Sequence, residues 1–326
     1  MVISQKQSDN DYIARLHEYR GAFTNLRDLI RLRYAAREIT ELTDNKTANP
    51  LAGLLTSNFQ GRGIDFSEVR VYQPGDDVRT IDWRVTARTQ KAHTKLFQEE
   101  KERPVLILTD QSRSMFFGSQ VTFKSVQAAR LAALIAWTML NRGDRVGGIV
   151  FSEQSHREVR PRRSKNAVLR FLSEINDFNN ALNRTQNSVD SQSDNYFADA
   201  LANVRRVAKH GSVIFIISDF SNNNEASRVH FQPLARQNHV IGIHVSDPLE
   251  HELPLPDLYS ITDGRTRSRI NTANRKYRQA YQVGFRQSLK DLEQEFLRVR
   301  SPLLKLKTNQ SIIQGLNHRA SALAGS

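Results

Sequence analysis

From residue 104 onward the chain alternates short apolar runs with amphipathic segments of helical length, and few folds accept that grammar. "VLILT" (105–109), "SVIFIIS" (212–218) and "VIGIHV" (240–245) are strand-sized and continuously apolar, as strands buried on both faces must be. "TFKSVQAARLAALIAWTMLNR", "KNAVLRFLSEI", "FADALANVRRVAK" and "EASRVHFQPLARQ" have the length and spacing of helices, while "RVGGIVF" and "HREVR" read as further strands. Apolar strands alternating with helices imply right-handed crossovers and a mainly parallel sheet covered on both faces. The expected fold class is therefore α/β, doubly wound, with ligands outside the carboxyl ends of the strands.

The flanks add to this centre. Tyr12, Leu16, Tyr19, Phe23, Leu26 and Ile30 draw one helical stripe over about 12–40, which Gly21 can divide, so 1–60 reads as helices and a linker. "DFSEVRVYQ" and "KAHTKLFQEE" alternate as strands do and make 61–103 a small antiparallel β appendage. Residues 104–262 form the α/β domain. In 263–326 a stripe of Tyr277, Tyr281, Phe285, Leu289, Leu292, Phe296 and Val299 predicts one long amphipathic helix, and "NRTQNSVDSQSDN" is a polar surface loop.

Composition removes several function classes. The chain has no cysteine, which excludes disulfides, zinc-thiolate sites and thiol catalysis. No run approaches the roughly 20 apolar residues of a membrane span, and the first residues lack the apolar core of a signal peptide. The expected location is the cytoplasm. The net charge of +13 gathers between Arg265 and Lys307, where arginines and lysines far outnumber Asp291, Glu293 and Glu295. Such an end suits nucleic acid, an acidic protein face or a membrane surface, or it is a solvated face with no partner.

One motif carries chemistry. In "LILTDQSRSM" a buried strand runs into Asp110, with Ser112 and Ser114 at alternate positions after it. One carboxylate and two hydroxyls are hard oxygen donors suited to Mg2+ or Mn2+, and "IISDF" puts a second carboxylate, Asp219, after another buried strand. The structural alternative is that the serines cap a helix or hold a turn while Asp110 accepts backbone N–H groups.

Other groups point to less. Asp110 as a phosphohydrolase nucleophile would need a second acid two residues on, and Ser112 stands there instead. In "QPGDDVRTIDW" the aspartates Asp76, Asp77 and Asp82 are expected to cap backbone groups, with Arg79 or Arg84 pairing Asp82 and Trp83 packing on the sheet. The histidines show no metal-ligand spacing, no Walker loop is present, and Tyr277 and Tyr281 lie on the apolar stripe rather than offering stacking platforms for bases.

The segment "TDQSRSM" resembles the metal-ion-dependent adhesion site of von Willebrand factor A-type domains, and "ISDF" resembles the strand end that supplies its distal aspartate. The stretch from "GRGIDFSEVRVYQPGDD" through "VLILTDQSRSM", with "DPLEHELP" downstream, resembles the bacterial domain-of-unknown-function family 58. That resemblance implies a von Willebrand A-like, Rossmann-like domain working beside a MoxR-type AAA+ ATPase in maturation or assembly of other proteins. It further implies that a loop residue joins the metal site. Where the adhesion-site loop carries threonine, "NYFADAL" has Asn195, with Ser193 and Asp194 as neighbours able to substitute. The expectation is a non-enzymatic adaptor whose metal is held by Asp110, Ser112, Ser114, Asp219 and Asn195, and whose client protein supplies a carboxylate. A basic nucleic-acid-binding protein is the alternative.

Overall fold

The structure is a computed structural model and describes residues 21–44, 65–73, 81–98, 104–182, 195–262 and 267–312. The helical stripe before residue 21, the linker to residue 64, the turn with Asp76, Asp77 and Arg79, and Ser193, Asp194 and Arg265 lie outside them.

In chain order the first elements are α1 (Leu26–Asp44), β1 (Asp65–Val71), α2 (Trp83–Thr89), β2 (His93–Gln98), β3 (Pro104–Asp110) and α3 (Lys124–Asn141). There follow β4 (Arg145–Phe151), β5 (His156–Arg162), α4 (Lys165–Ala181), α5 (Tyr196–Val207), β6 (Val213–Ser218) and α6 (Glu225–Gln237). The chain continues with β7 (His239–Ser246), the short α7 (Pro248–His251), β8 (Leu258–Thr262), β9 (Arg267–Asn271), α8 (Arg275–Arg298) and β10 (Leu303–Lys307).

Two compact units result, Thr56–Glu102 and the remainder of the chain. In the smaller, β1 and β2 pair antiparallel. Asp82 caps α2, accepting the N–H groups of Arg84 and Val85, so this aspartate does the backbone work expected of it. The helix was not legible in "WRVTART", and its first residue corrects an expectation: Trp83 does not pack on the sheet but is 70% exposed.

The larger unit is the doubly wound α/β fold. Its six-stranded sheet has the order β10-β7-β6-β3-β4-β5, parallel except for β5, which returns antiparallel along β4. Both faces are buried, and β3 shows how: Val105 and Ile107 enter the core with residues of α1, α3 and α4, while Leu106 and Leu108 enter the core with residues of α5, α6 and α8. Helix α3 is apolar nearly all round because the sheet covers one side and α1 packs against it, with Trp137 Nε1 donating to the carbonyl of Leu29 (3.2 Å). Gly143, in the left-handed region at φ 87°, then stops the helix.

The long C-terminal helix belongs to this unit. Phe296 of α8 presses against Gly242 of β7 so closely that a Cβ there would stand 2.4 Å from its ring, and β10 then joins the sheet beside β7. The β8–β9 hairpin and β10 carried too short a signal to be read beforehand. The order of strands matters for function: the chain goes from β3 outward to β4 and β5, then returns to place β6 on the other side of β3. That reversal makes the carboxyl ends of β3 and β6 the switch point of the sheet.

Candidate functional site at the carboxyl edge of the sheet

Asp110 ends β3 and Asp219 directly follows β6, so the switch point brings together two carboxylates far apart in sequence. Asp110 is buried and both its oxygens are engaged. Oδ1 accepts the N–H of Ser112 (2.8 Å) and Oδ2 accepts the hydroxyl of Ser218 (2.6 Å). The first bond closes the turn that the structural alternative foresaw, but the two serine side chains do not cap a helix. Their hydroxyls lie 3.1 Å apart beside the aspartates, and that of Ser114 hydrogen-bonds Asp219. The backbone N–H of Arg113 between them donates to Glu153 (2.6 Å).

The second strand end is shaped by an uncommon conformation. Phe220 sits in the left-handed region at φ 55°, where bulky residues are rare, and its N–H donates to Ser218 Oγ (2.9 Å). Asp219 is thereby held at the turn, with Oδ1 accepting the N–H of Ser221 (3.0 Å).

A residue the sequence reading missed completes the cluster. Lys124, the first residue of α3, directs its buried ammonium between Asp219 (2.7 Å) and Glu250 (2.6 Å). A cation in the first turn of a helix opposes the helix dipole and no acid stands there to offset it, which was the one signal available. Glu250 is equally specific. It closes a capping box at α7, accepting the N–H of Asp247 (2.7 Å), so "DPLE" fixes the acid that faces Lys124. Asp247 is anchored in turn by the hydroxyls of Ser119 and Thr308.

These charges do not balance. Three carboxylates, Asp110 and Asp219 buried and Glu250 half-buried, face one ammonium, and the ionisation of each group reflects it. Burial and the neighbouring charge of Asp219 push the Asp110 carboxyl up to about 7, against the hydrogen bonds from Ser218 and Ser112. Burial would raise Asp219 as well, but Lys124 holds it below the usual carboxylate range, and the two acids together raise Lys124 despite its burial. Burial also lifts Glu250. Tyr196 stands next to the cluster, its phenol pushed up to about 12 by burial and by Asp110, and it bonds Asn222 and the hydroxyl of Ser112.

Four of the five candidate residues, Asp110, Ser112, Ser114 and Asp219, thus share one neighbourhood. Asn195 is exposed and its amide oxygen accepts from Asn224 Nδ2 (3.1 Å) at the start of α6. Beside Asp219 opens a cleft of about 400 Å³, walled by Phe220, His244, Glu250, Phe285 and Leu289. His244 is buried and kept neutral, its pKa lowered to about 4 chiefly by burial, and its Nδ1 has no hydrogen-bond partner. Among the described residues no group of three or more His, Asp or Glu side chains forms a metal cage, so any ion here would rely on the serine hydroxyls. None of the described helices is long and apolar enough to cross a membrane.

Comparison with known proteins identifies relatives without a known role. The family described as "Protein of unknown function DUF58" matches residues 68–291. Uncharacterized proteins of Mycobacterium bovis and Mycobacterium tuberculosis are 30% identical over 221 residues, covering 68% of this chain and 67% of theirs. Among solved structures, the conserved hypothetical protein BatB from Bacteroides thetaiotaomicron aligns with 17% identity and a TM-score of 0.40, over 68% of this chain and 98% of that one. An aerotolerance-related membrane protein from Bacteroides fragilis aligns with 16% identity and a TM-score of 0.34, over 67% and 98%.

Proposed function

The chain belongs to the protein family of unknown function DUF58, and we propose that it is a non-catalytic, metal-dependent adaptor that binds other proteins at the carboxyl edge of its sheet. The observation that carries this reading is the charge deficit: Asp110, Asp219 and the half-buried Glu250 gather around a single ammonium, and the carboxylate left without a cation, Asp110, is pushed up to about 7. A divalent cation supplies the missing charge. Asp110, Ser112, Ser114 and Asp219 would hold Mg2+ or Mn2+, both of which favour hard oxygen donors and retain open or hydrated positions. Asn195 would join them only by exchanging its bond to Asn224.

The chain's own residues prepare the site for an acidic visitor. Lys124 offsets one of the two charges of Asp219 and Glu250, and the serine hydroxyls add none, so the negative charge at the site is limited to what a divalent ion can balance. Held by Asp110, Ser112, Ser114 and Asp219, such an ion would be able to take a carboxylate from the client protein. Following the resemblance to von Willebrand A-type domains and to family 58, we propose a MoxR-type AAA+ ATPase as the working partner and the cytoplasm as the setting. A phosphoryl-transfer role for Asp110 would call for a second acid two residues on, where Ser112 stands.

Calorimetry with magnesium tests the site, and capture of the ATPase from native lysate in magnesium or EDTA tests the partnership. Wild type is expected to bind magnesium, Asp110→Ala to lose it, and the ATPase to be retained in magnesium alone. An unchanged isotherm in Asp110→Ala sinks the site, while capture indifferent to EDTA sinks the metal-dependent partnership.

A further inference from the structure

The opposite edge of the same sheet holds a second constructed feature. At the amino ends of β3 and β4, about 20 Å along the strands from Asp110 at some 3.3 Å per residue, lies a cleft of about 410 Å³. Arg145, Arg160, Arg162, Arg206 and Lys209 line it, with Glu158 as the one acid. Pro104, Pro161 and Val207 add apolar lining.

The backbone is shaped to make this cleft. Along the β4–β5 pair, Val146 faces Arg162 and Gly148 faces Val159, so Gly147 stands opposite two residues, Arg160 and Pro161. This is a β-bulge, a device that re-aims side chains. In a regular strand consecutive residues point to opposite faces, yet here residues 160, 161 and 162 all line one cleft. Proline suits the bulge because it has no N–H to give the ladder. Gly147 is equally required, since a Cβ there would lie 2.3 Å from the carbonyl oxygen of Val159 and 2.5 Å from the nitrogen of Pro161. Glu158 then holds two of the cations, its oxygens meeting Arg206 at 2.8 Å and Arg160 at 3.4 Å.

We infer that this cleft is a binding site for an acidic segment, rich in Asp and Glu, of a partner protein. Four of its five cations are arginines, whose planar forks match carboxylates in bidentate pairs, and Glu158 pre-orients two of them. The cleft has the volume of a few side chains rather than the track of a nucleic acid, and no aromatic ring lines it to stack a base. Arg206 has a second role at the end of α5, where its charge complements the helix dipole, but a helix cap explains neither the bulge nor Arg160 and Arg162. The inference does not depend on the metal site, and its test runs in EDTA.

Fluorescence anisotropy of the full chain at physiological salt decides it, using a labelled peptide of six glutamates spaced by glycines and labelled single-stranded and duplex oligonucleotides of equal charge. The peptide is expected to bind wild type, and Arg162→Glu with Arg206→Glu to weaken it at least tenfold at unchanged melting temperature. Arg162→Lys with Arg206→Lys keeps the charge but loses the forks, and should cost about threefold or more. Reversing Arg275 and Lys276 on α8 should leave binding unchanged. Failure of the peptide to bind, equal binding by the cleft variant, loss only in the α8 variant, or displacement of the peptide by either oligonucleotide at equal charge each overturns the proposal.

Discussion

At the carboxyl edge of the sheet Lys124, with 3% of its side chain exposed, sits between two carboxylates within hydrogen-bond distance, while at the amino edge Arg160 and Arg206, 78% and 61% exposed, share one glutamate. Both edges concentrate charge, but under different physics. A buried ion removed from its partner leaves an uncompensated charge in low dielectric, so at the carboxyl edge each pairing bears on stability. Exposed arginines are screened by water and salt, so the amino edge tolerates an excess of one sign and keeps its forks for a visitor. One edge therefore couples function to stability, and the other leaves them separable.

The largest effect expected from this contrast comes from Lys124→Met. Asp219 would remain buried and Glu250 half-buried without a cation, which should cost about 3–5 kcal/mol, whereas Arg162→Glu at the other edge should stay within about 0.5 kcal/mol. Urea denaturation in EDTA measures both. Similar losses at the two edges would break the distinction. Magnesium should return part of the loss in Lys124→Met, since the ion brings charge to the same acids.

Next in size is a pH effect confined to the carboxyl edge. Asp110 has a folded pKa of about 7, above its ordinary value, so the stability it gives is present in acid and lost as pH rises from about 4 through 7. His244 has a folded pKa of about 4, below its ordinary value, so its contribution is present above about 6.5 and lost as pH falls toward 4. The two slopes oppose each other in wild type. In Asp110→Asn the slope opposing the histidine is gone, and stability in EDTA should fall by about 3 kcal/mol between pH 7 and pH 4 from His244, with Asp219 and Asp247, held below the usual carboxylate range, adding to the fall. His251, lowered to about 4 mainly by burial, acts in the same direction but is only partly buried. Parallel pH profiles for wild type and Asp110→Asn would show that Asp110 is not the group in tension.

Gly147→Ala probes the amino edge through its backbone. The added methyl meets main-chain atoms of Val159, Arg160 and Pro161, which cannot swing aside as a side chain does. A cost of about 1–3 kcal/mol is expected, together with loss of the acidic peptide. Full peptide binding in a destabilised Gly147→Ala would separate the bulge from the cleft.

The contrast also explains what could be read from the sequence. The carboxyl edge was legible because its ligands follow buried strands: "LILTD" and "IISD" announce both the strand and the acid at its end. Lys124 and Glu250 were hidden because their partners are fixed by tertiary contacts across 95 and 126 residues, which no local pattern encodes. The amino-edge cleft was invisible for a related reason, as its cations come from 145, 160–162 and 206–209 and meet only when β4, β5 and α5 are packed. The sequence reading gave the positive charge to the C-terminal segment, where it is contiguous. The parallel core followed from apolar runs, whereas β10, with only Leu304 and Leu306 buried at alternate positions, was too short to register.

The smallest expected effect concerns Asn195, which sits where the carboxyl edge meets exposed surface. Its amide oxygen accepts from Asn224, and Asn224 in turn caps α6 by accepting the N–H of Ser227 (3.1 Å). An exposed amide in such a bond contributes modestly, so Asn195→Ala should cost under about 1 kcal/mol of stability. Its effect on magnesium affinity discriminates more sharply. If the ion is held by Asp110, Ser112, Ser114 and Asp219, Asn195→Ala should change the affinity by less than about threefold, equivalent to about 0.7 kcal/mol, while Asp219→Asn should reduce it at least tenfold. Asn195→Thr, which restores the residue type of the adhesion-site loop, should then tighten magnesium only slightly, because its shorter side chain must also give up the bond to Asn224. A tenfold loss in Asn195→Ala would instead put the amide oxygen among the ligands. The boundary between the buried edge and its solvated surroundings would then lie one residue further out, at the start of α5.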